Sequence, residues 1–269
     1  MSGDSNVVYT YDGSFEGFLT CIYESFYNRE NPVDIVPEYL CQPTLYVEKY
    51  IASQPQKAQR VYISIQEKIS VQAQTMVRLG FLTCLPQKEL CMLLYLRLGY
   101  KVGSKLTNML GNARVSCLHG AVKSMQNEAH LLKGFIRFQE YSGVLVAVIS
   151  PKNFVLPLLS QHFATRYPNE SFLIYDDTNH MALVYQNNKT KIVEIEKLTL
   201  PPVDAQEANY AALWQQFYKT IAIQARNNPR CQRGHMPKRY WKNMTEMQTE
   251  SRLSGRDTEK MIQAGGKTI

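Results

Sequence analysis

The stretch Gly134-Phe135-Ile136-Arg137-Phe138-Gln139-Glu140-Tyr141-Ser142-Gly143-Val144-Leu145-Val146-Ala147-Val148-Ile149-Ser150 decides the fold class. Two runs rich in aromatic and β-branched residues flank Ser142-Gly143, which reads as a hairpin: strands over Gly134–Tyr141 and Val144–Ser150. Downstream, Pro151-Lys152-Asn153 starts a helix that ends near Tyr167-Pro168. Pro157 is tolerated in its first turn, with Asn153 as the cap. Three short strands follow, Ser171–Tyr175, Met181–Tyr185 and Lys191–Ile195, with Asn187-Asn188 as a turn. A β-β-α-β-β-β order implies a mainly antiparallel sheet with a helix on one face.

Working outward, the texture on the N-terminal side is helical from about residue 57 to 132. Val61, Ile65, Ile69 and Met76 recur at helix spacing. A second helix follows Pro86, and a third runs from about Ala121 to Leu132 through Val122, Met125 and Ala129. Before these come a strand over 6–11, the turn Asp12-Gly13-Ser14, and a helix over Phe15–Tyr27. Pro32, Pro37 and Pro43 then mark an irregular connection, and Tyr46–Ile51 reads as a second strand. On the C-terminal side, a helix within 206–246 carries Tyr210, Leu213, Trp214, Phe217 and Ile221 on one face and stops at Asn227-Asn228-Pro229. The expectation is one α+β domain over residues 1–246. It consists of a helical part (about 57–132), a sheet part (about 134–197), and a C-terminal amphipathic helix with a basic segment that closes the fold (206–246). Residues 247–269, poor in apolar side chains, read as a disordered tail.

Hydrophobic residues make up 45% of the 269, enough for a substantial core. No apolar run reaches the length of a membrane span, and Met1-Ser2-Gly3-Asp4-Ser5 lacks the features of a secretory signal. The six cysteines form no C-x-x-C pair, which points to reduced, mostly buried thiols in a cytoplasmic protein. The net charge of +7 is unevenly distributed. Residues 1–59 carry −5, residues 60–120 carry +6, residues 121–225 are balanced, and residues 226–269 carry +6. Clustered cations attract polyanions, so DNA is the expected partner and a membrane is not. Phosphate-binding loops, dinucleotide glycine patterns, nucleophile elbows and H-E-x-x-H are missing from the sequence, and no cofactor is expected.

Four constellations carry chemistry. His162 and Arg166 stand four apart on one helix face, as an acid/base with a phosphate clamp or as a core-edge histidine with a snorkelling arginine. Tyr175-Asp176-Asp177-Thr178-Asn179-His180 offers carboxylates at a strand end, which serve as a base or make ordinary Asx turns. Arg137, in an apolar strand, needs a carboxylate such as Asp176, or holds phosphate. Finally, Arg226 to Lys242 alternates basic, polar and aromatic residues. Its Arg226, Asn228, Gln232, Lys238 and Arg239 suit phosphate and polar contacts, while Tyr240 and Trp241 either stack on an unpaired base or pack onto the core.

Taken together, Tyr11-Asp12-Gly13-Ser14-Phe15-Glu16-Gly17-Phe18, Gly134-Phe135-Ile136-Arg137-Phe138, His162-Phe163-x-x-Arg166, Ile174-Tyr175-Asp176, Arg226-x-Asn228-x-x-x-Gln232 and Met236-Pro237-Lys238-Arg239-Tyr240-Trp241 resemble a bacterial family of DNA metabolism or DNA repair proteins. That family is encoded beside a radical-SAM protein similar to spore photoproduct lyase, and a similar domain occurs fused to uracil-DNA glycosylase-like domains. The resemblance spans nearly residues 6–246. It implies a nucleic-acid-binding accessory to a radical-SAM enzyme, whose cluster belongs to the partner because this chain has no C-x-x-x-C-x-x-C. Asn179 departs from the family pattern, which offers arginine there. Two other readings stay open: a DNA-acting hydrolase or glycosylase using His162, Arg166, Arg137 and Asp176, and a protein-interaction scaffold.

Overall fold

The computed structural model describes residues 6–202, 204–226 and 228–248. The chain is a mixed α+β protein that divides into two compact units, Met1–Gln126 and Asn127–Ile269. Most of the expected tail, from residue 249 on, lies outside the described residues.

The first unit is built on strand β1 (Val7–Tyr11), all five residues of which are buried. A fully buried strand reads as a continuous apolar run because both of its faces are covered. Its partners β2 (Asp34–Pro37) and β3 (Val47–Tyr50) both run parallel to it, in the order β2-β1-β3. A parallel neighbour requires a crossover, and helix α1 (Phe15–Tyr27) supplies the one between β1 and β2. The turn into α1 explains the Tyr11–Phe18 motif. Gly13 adopts φ +81°, Asp12 Oδ1 accepts from the Ser14 amide at 2.9 Å, and Ser14 Oγ caps the helix by accepting from Gly17 N at 2.9 Å. A side chain on Gly17 would meet the Tyr11 ring at 2.9 Å. β2 falls where the prolines suggested irregular chain. As an edge strand ending at Pro37 it tolerates them, since an edge leaves one side of the backbone unpaired. Helices α2 (Pro55–Lys68), α3 (Val71–Phe81) and α4 (Lys88–Val102) complete the unit. Phe18, Ile22, Ile35, Ile65, Val77 and Leu96 form its dry centre.

Helix α5 (Ala113–Phe135) carries the chain across the boundary into the second unit. There β4 (Gln139–Tyr141), β5 (Val144–Ile149), β6 (Ser171–Asp176), β7 (Met181–Gln186) and β8 (Lys189–Glu194) form one sheet in chain order. β5 and β6 are parallel, joined through helix α6 (Leu156–Arg166), and the other pairings are antiparallel. The Ser142-Gly143 and Asn187-Asn188 turns both have positive φ at each central residue, the geometry that matches strand twist in a two-residue hairpin.

Four expectations are corrected in this unit. α5 continues to Phe135 and β4 starts only at Gln139, so Arg137 sits in a connection and not in a strand. Gly134 is tolerated inside the helix. Asn153 does not cap α6, whose N-cap is Val155; it is held instead by Glu128. Helix α7 (Ala205–Ile221), capped by Asp204, does not close the sheet with its apolar stripe. Tyr210, Leu213, Trp214, Phe217 and Ile221 are between 40% and 60% exposed, and the buried side chains are Ala211 and Gln215. Moreover, Asn228-Pro229 does not stop α7, which has already ended at Ile221. It starts a new short helix, α8 (Pro229–His235), with Asn228 as its cap.

Candidate functional site

The second unit gathers most of the chemistry-bearing residues in two places. The first is the C-terminal edge of the parallel pair β5–β6, the position where open α/β sheets commonly hold ligands. Asp176 ends β6 and is fully buried. Its carboxylate accepts from Thr178 N at 3.0 Å, Asn179 N at 3.1 Å and Asn179 Nδ2 at 2.7 Å. Burial raises its pKa, these N–H donors pull it back, and the Glu128 charge adds to the rise. This is the Asx-turn alternative for the Asp176–His180 segment, and Asn179 acts as a structural partner of Asp176.

Glu128, on α5 and 2% exposed, is the centre of the cluster. It accepts from Lys152 N at 3.0 Å, Asn153 N at 2.9 Å and Asn153 Nδ2 at 2.6 Å. Arg239 Nη2 lies 3.2 Å from its Oε1, and the Tyr240 hydroxyl 3.5 Å away. Lys242 Nζ reaches Asp177 at 3.6 Å, and Asn243 Nδ2 reaches Ser150 Oγ at 3.5 Å. The turn Lys238–Asn243 is therefore clamped to the strand ends by charge and hydrogen bonds. Glu128 was missed in the sequence. The available signal was a carboxylate on the helix face that also carries Met125, Ala129 and Leu132, where a charge is rarely buried unless it is paired.

The clamp decides the roles of the basic-aromatic segment. Tyr240 is 4% exposed, packs on Phe135 at 5.4 Å and donates toward Glu128, so its ring is not offered to a base. Arg239 is committed to Glu128 and the Tyr240 hydroxyl. Trp241 is half-buried: its indole N–H donates to Met236 O at 2.9 Å and Lys238 stands over its ring.

The second gathering point is a cavity of about 730 Å³ that Arg226, Asn228 and Gln232 share with Tyr218, Lys219 and Ile223. The motif spacing is explained locally: Asn228 Oδ1 caps α8 by accepting from Cys231 N at 3.0 Å, and Gln232 Nε2 donates to the Tyr218 hydroxyl at 3.3 Å. Lys219, Arg226, Arg230, Arg233 and Lys238 are exposed and make no ion pair among the described residues.

The other sequence candidates stand elsewhere in this unit. Arg137 pairs with Glu246 and not with Asp176. Its Nη2 and Nε meet the two carboxylate oxygens at 2.6 and 3.2 Å, a bidentate fork, and its plane lies over Trp214. Glu246 also accepts from Trp214 Nε1 at 3.1 Å. Nothing in the sequence around Glu246 marks it as that partner. His162 is half-buried with Nε2 shielded and without a hydrogen-bond partner. Its pKa is lowered by burial, then by the charges of Lys133 and Arg166. Arg166 is exposed and lies over Tyr167. Among the described residues no hydrogen bond or ion pair joins any two of His162, Arg166, Arg137 and Asp176. Of the six thiols only Cys21 is buried, while Cys84, Cys117 and Cys231 are exposed, against the expectation of mostly buried cysteines. No group of three or more His, Cys, Asp or Glu side chains is placed to hold a metal ion, and no helix is long and apolar enough to cross a membrane, among the described residues.

No curated protein and no solved structure shows significant similarity to the chain. A family model described as a domain of unknown function, DUF4130, matches residues 86–246, more than half of the sequence, and the chain belongs to that family.

Proposed function

We propose that this is a nucleic-acid-binding protein of DNA repair or DNA metabolism, acting in the cytoplasm as an accessory to a radical-SAM enzyme. One observation carries the nucleic-acid part: Arg226, Asn228 and Gln232 converge on one open cavity with Lys219 and Tyr218, flanked by cations that make no ion pair among the described residues. Uncompensated Lys and Arg beside amide and phenol groups fit a phosphodiester backbone with polar contacts to bases. The radical-SAM partner rests on the family resemblance alone. The segment Lys238–Asn243 acts here as a clamp that fixes the basic surface, with Lys238 as its outward charge.

Fluorescence anisotropy of labelled single- and double-stranded DNA at two salt concentrations tests this. Each phosphate contact contributes about 0.7–0.9 to the log–log salt slope. Arg226→Gln/Arg230→Gln/Arg233→Gln is expected to weaken binding to all sequences alike and to flatten that slope. Binding that ignores salt would remove the proposal.

A second reading has its own support. The exposed stripe Leu213, Trp214, Phe217 and Ile221 on α7 suits protein docking, as a scaffold would need. Complex formation with a protein partner, in the absence of DNA affinity, would favour it. The hydrolase or glycosylase alternative has less support, because Asp176 and Arg137 spend their polar atoms on Asn179 and Glu246.

A further inference from the structure

The first unit carries a cavity that the basic segment does not account for. It encloses about 540 Å³ between α1, α2 and α4. Its walls include Tyr23, Phe26, Tyr27 and Tyr100, and its rim carries Arg60 and Lys68. Aromatic residues spaced i and i+4 on α1 share a face, and the Tyr23 and Tyr27 rings lie 5.8 Å apart and 15° from parallel. Phe26 meets Tyr100 edge-on at 5.2 Å. These rings are not sealed into the core: Tyr27 is 74% exposed and Phe26 41%. The polar group in the wall is the Ser64–Tyr100 hydroxyl pair, 2.6 Å apart.

Charge separates this cavity from an ordinary apolar groove. The carboxylate beside it, Glu24, is neutralised by Lys57 at 2.6 Å and accepts a hydrogen bond from the Asn28 amide at 3.0 Å. Arg60 and Lys68 are exposed and form no ion pair among the described residues, while the Arg60 guanidinium sits 5.7 Å from the Tyr23 ring centre. A flat aromatic platform, a hydroxyl edge and two uncompensated cations match one ligand chemistry: an aromatic base carrying a phosphate. The size lies within the range of small-ligand pockets. Stacking uses the π-face that every base has, so such a site tolerates sequence, and the cations fix the phosphate.

We infer that this cavity binds a single unstacked nucleotide, its base on Tyr27 and Tyr23 and its phosphate between Arg60 and Lys68. The inference rests on the nucleic-acid reading for its biological source. The chemistry itself is shared by a free nucleotide and by one nucleotide of a single strand.

Calorimetry with dAMP and with deoxyadenosine, and anisotropy with labelled dA10, on the full chain, tests it. Tyr27 and Arg60 are exposed, so Tyr27→Ala and Arg60→Gln are expected to keep the fold, which circular dichroism checks. The expected result is dAMP binding, weakened about fivefold or more by Tyr27→Ala, by Arg60→Gln and by removal of the phosphate. If dA10 binding weakens with the same two substitutions, the source is a strand. If dAMP binds here and dA10 does not, the cavity takes a free nucleotide: the inference stands and the proposed function falls. If dA10 binding responds only to Arg226→Gln/Arg230→Gln/Arg233→Gln while dAMP binding responds to Tyr27→Ala and Arg60→Gln, the proposed function stands and the cavity takes a free nucleotide. Absence of dAMP binding, or binding indifferent to Tyr27→Ala and Arg60→Gln, overturns this inference.

Discussion

Glu89 and Glu128 are both carboxylates taken out of water, one in each unit, and their surroundings are opposite. Glu89, in the first turn of α4, is 5% exposed and accepts a hydrogen bond from the Tyr11 hydroxyl at 3.0 Å. Burial pushes its pKa up, and Lys88, a backbone donor and Tyr11 only partly offset that. Glu128 meets three N–H donors and the Arg239 guanidinium. A carboxyl group tolerates burial either by giving up its charge through protonation or by gaining a complete set of partners. Glu89 leans toward the first solution, Glu128 uses the second. The second ties together α5, the loop after β5 and the turn Lys238–Asn243, so it builds a surface, whereas the first only finishes a core.

The sharpest test of this contrast is Glu128→Ala. It leaves two backbone N–H groups and the Arg239 guanidinium without their carboxylate, and is expected to cost about 3 kcal/mol or more, read from the urea midpoint. It should also lower DNA affinity through loss of the clamped turn. A cost below about 1 kcal/mol would show that water replaces the carboxylate easily. Next in size is Glu246→Ala, which frees Arg137 and the Trp214 indole. About 2 kcal/mol is expected, with faster amide exchange in α7 as the local signature.

Glu89→Gln should show itself in the pH profile, with an effect that grows as pH rises out of the acid range and is present at neutral pH. An unfolded Glu releases its proton near pH 4.3. The folded Glu89 pKa is raised, so its favourable contribution is fully present below the unfolded value and is lost as pH rises through the folded one. Glu246 goes the other way: burial raises its pKa, but the Arg137 hydrogen bonds and charge more than compensate, leaving it lowered. Its contribution is present above the unfolded value and lost as pH falls through the folded one. Glu89→Gln should therefore flatten the decline on the higher-pH side and leave the acid limb unchanged. Thermal melts across mildly acidic pH separate the two. The smallest effect is chemical. The Cys91 thiol, pushed up to about 12 by burial and then by neighbouring Cys117, should resist alkylation at pH 8, while exposed Cys117 reacts. Equal labelling of both, by mass spectrometry, would contradict this.

Local signals were legible where one short-range rule decides. Asp12-Gly13-Ser14 turns the chain into α1, Asn187-Asn188 turns a hairpin, and Pro157 sits in the first turn of α6. They failed where a residue had two permitted roles. Gly134 interrupts a strand pattern or rides within a helix. Pro37 ends irregular chain or an edge strand. Asn228-Pro229 stops one helix or starts the next. The stripe on α7 shows the same limit: spacing places Leu213, Trp214 and Phe217 on one face without saying what meets that face.

By itself the sequence determined the mixed α+β class, the uneven distribution of positive charge, and the basic-aromatic character of residues 226–242, because composition, period and turn chemistry are local properties. Tertiary structure alone decided that β5 and β6 run parallel, that Arg137 belongs to Glu246, that Tyr240 is a core residue, and that Arg226, Asn228 and Gln232 share a cavity. Each of these depends on which distant group reaches a buried charge, ring or backbone first. That choice is made by packing and desolvation across the folded unit, and no window of neighbouring residues contains it.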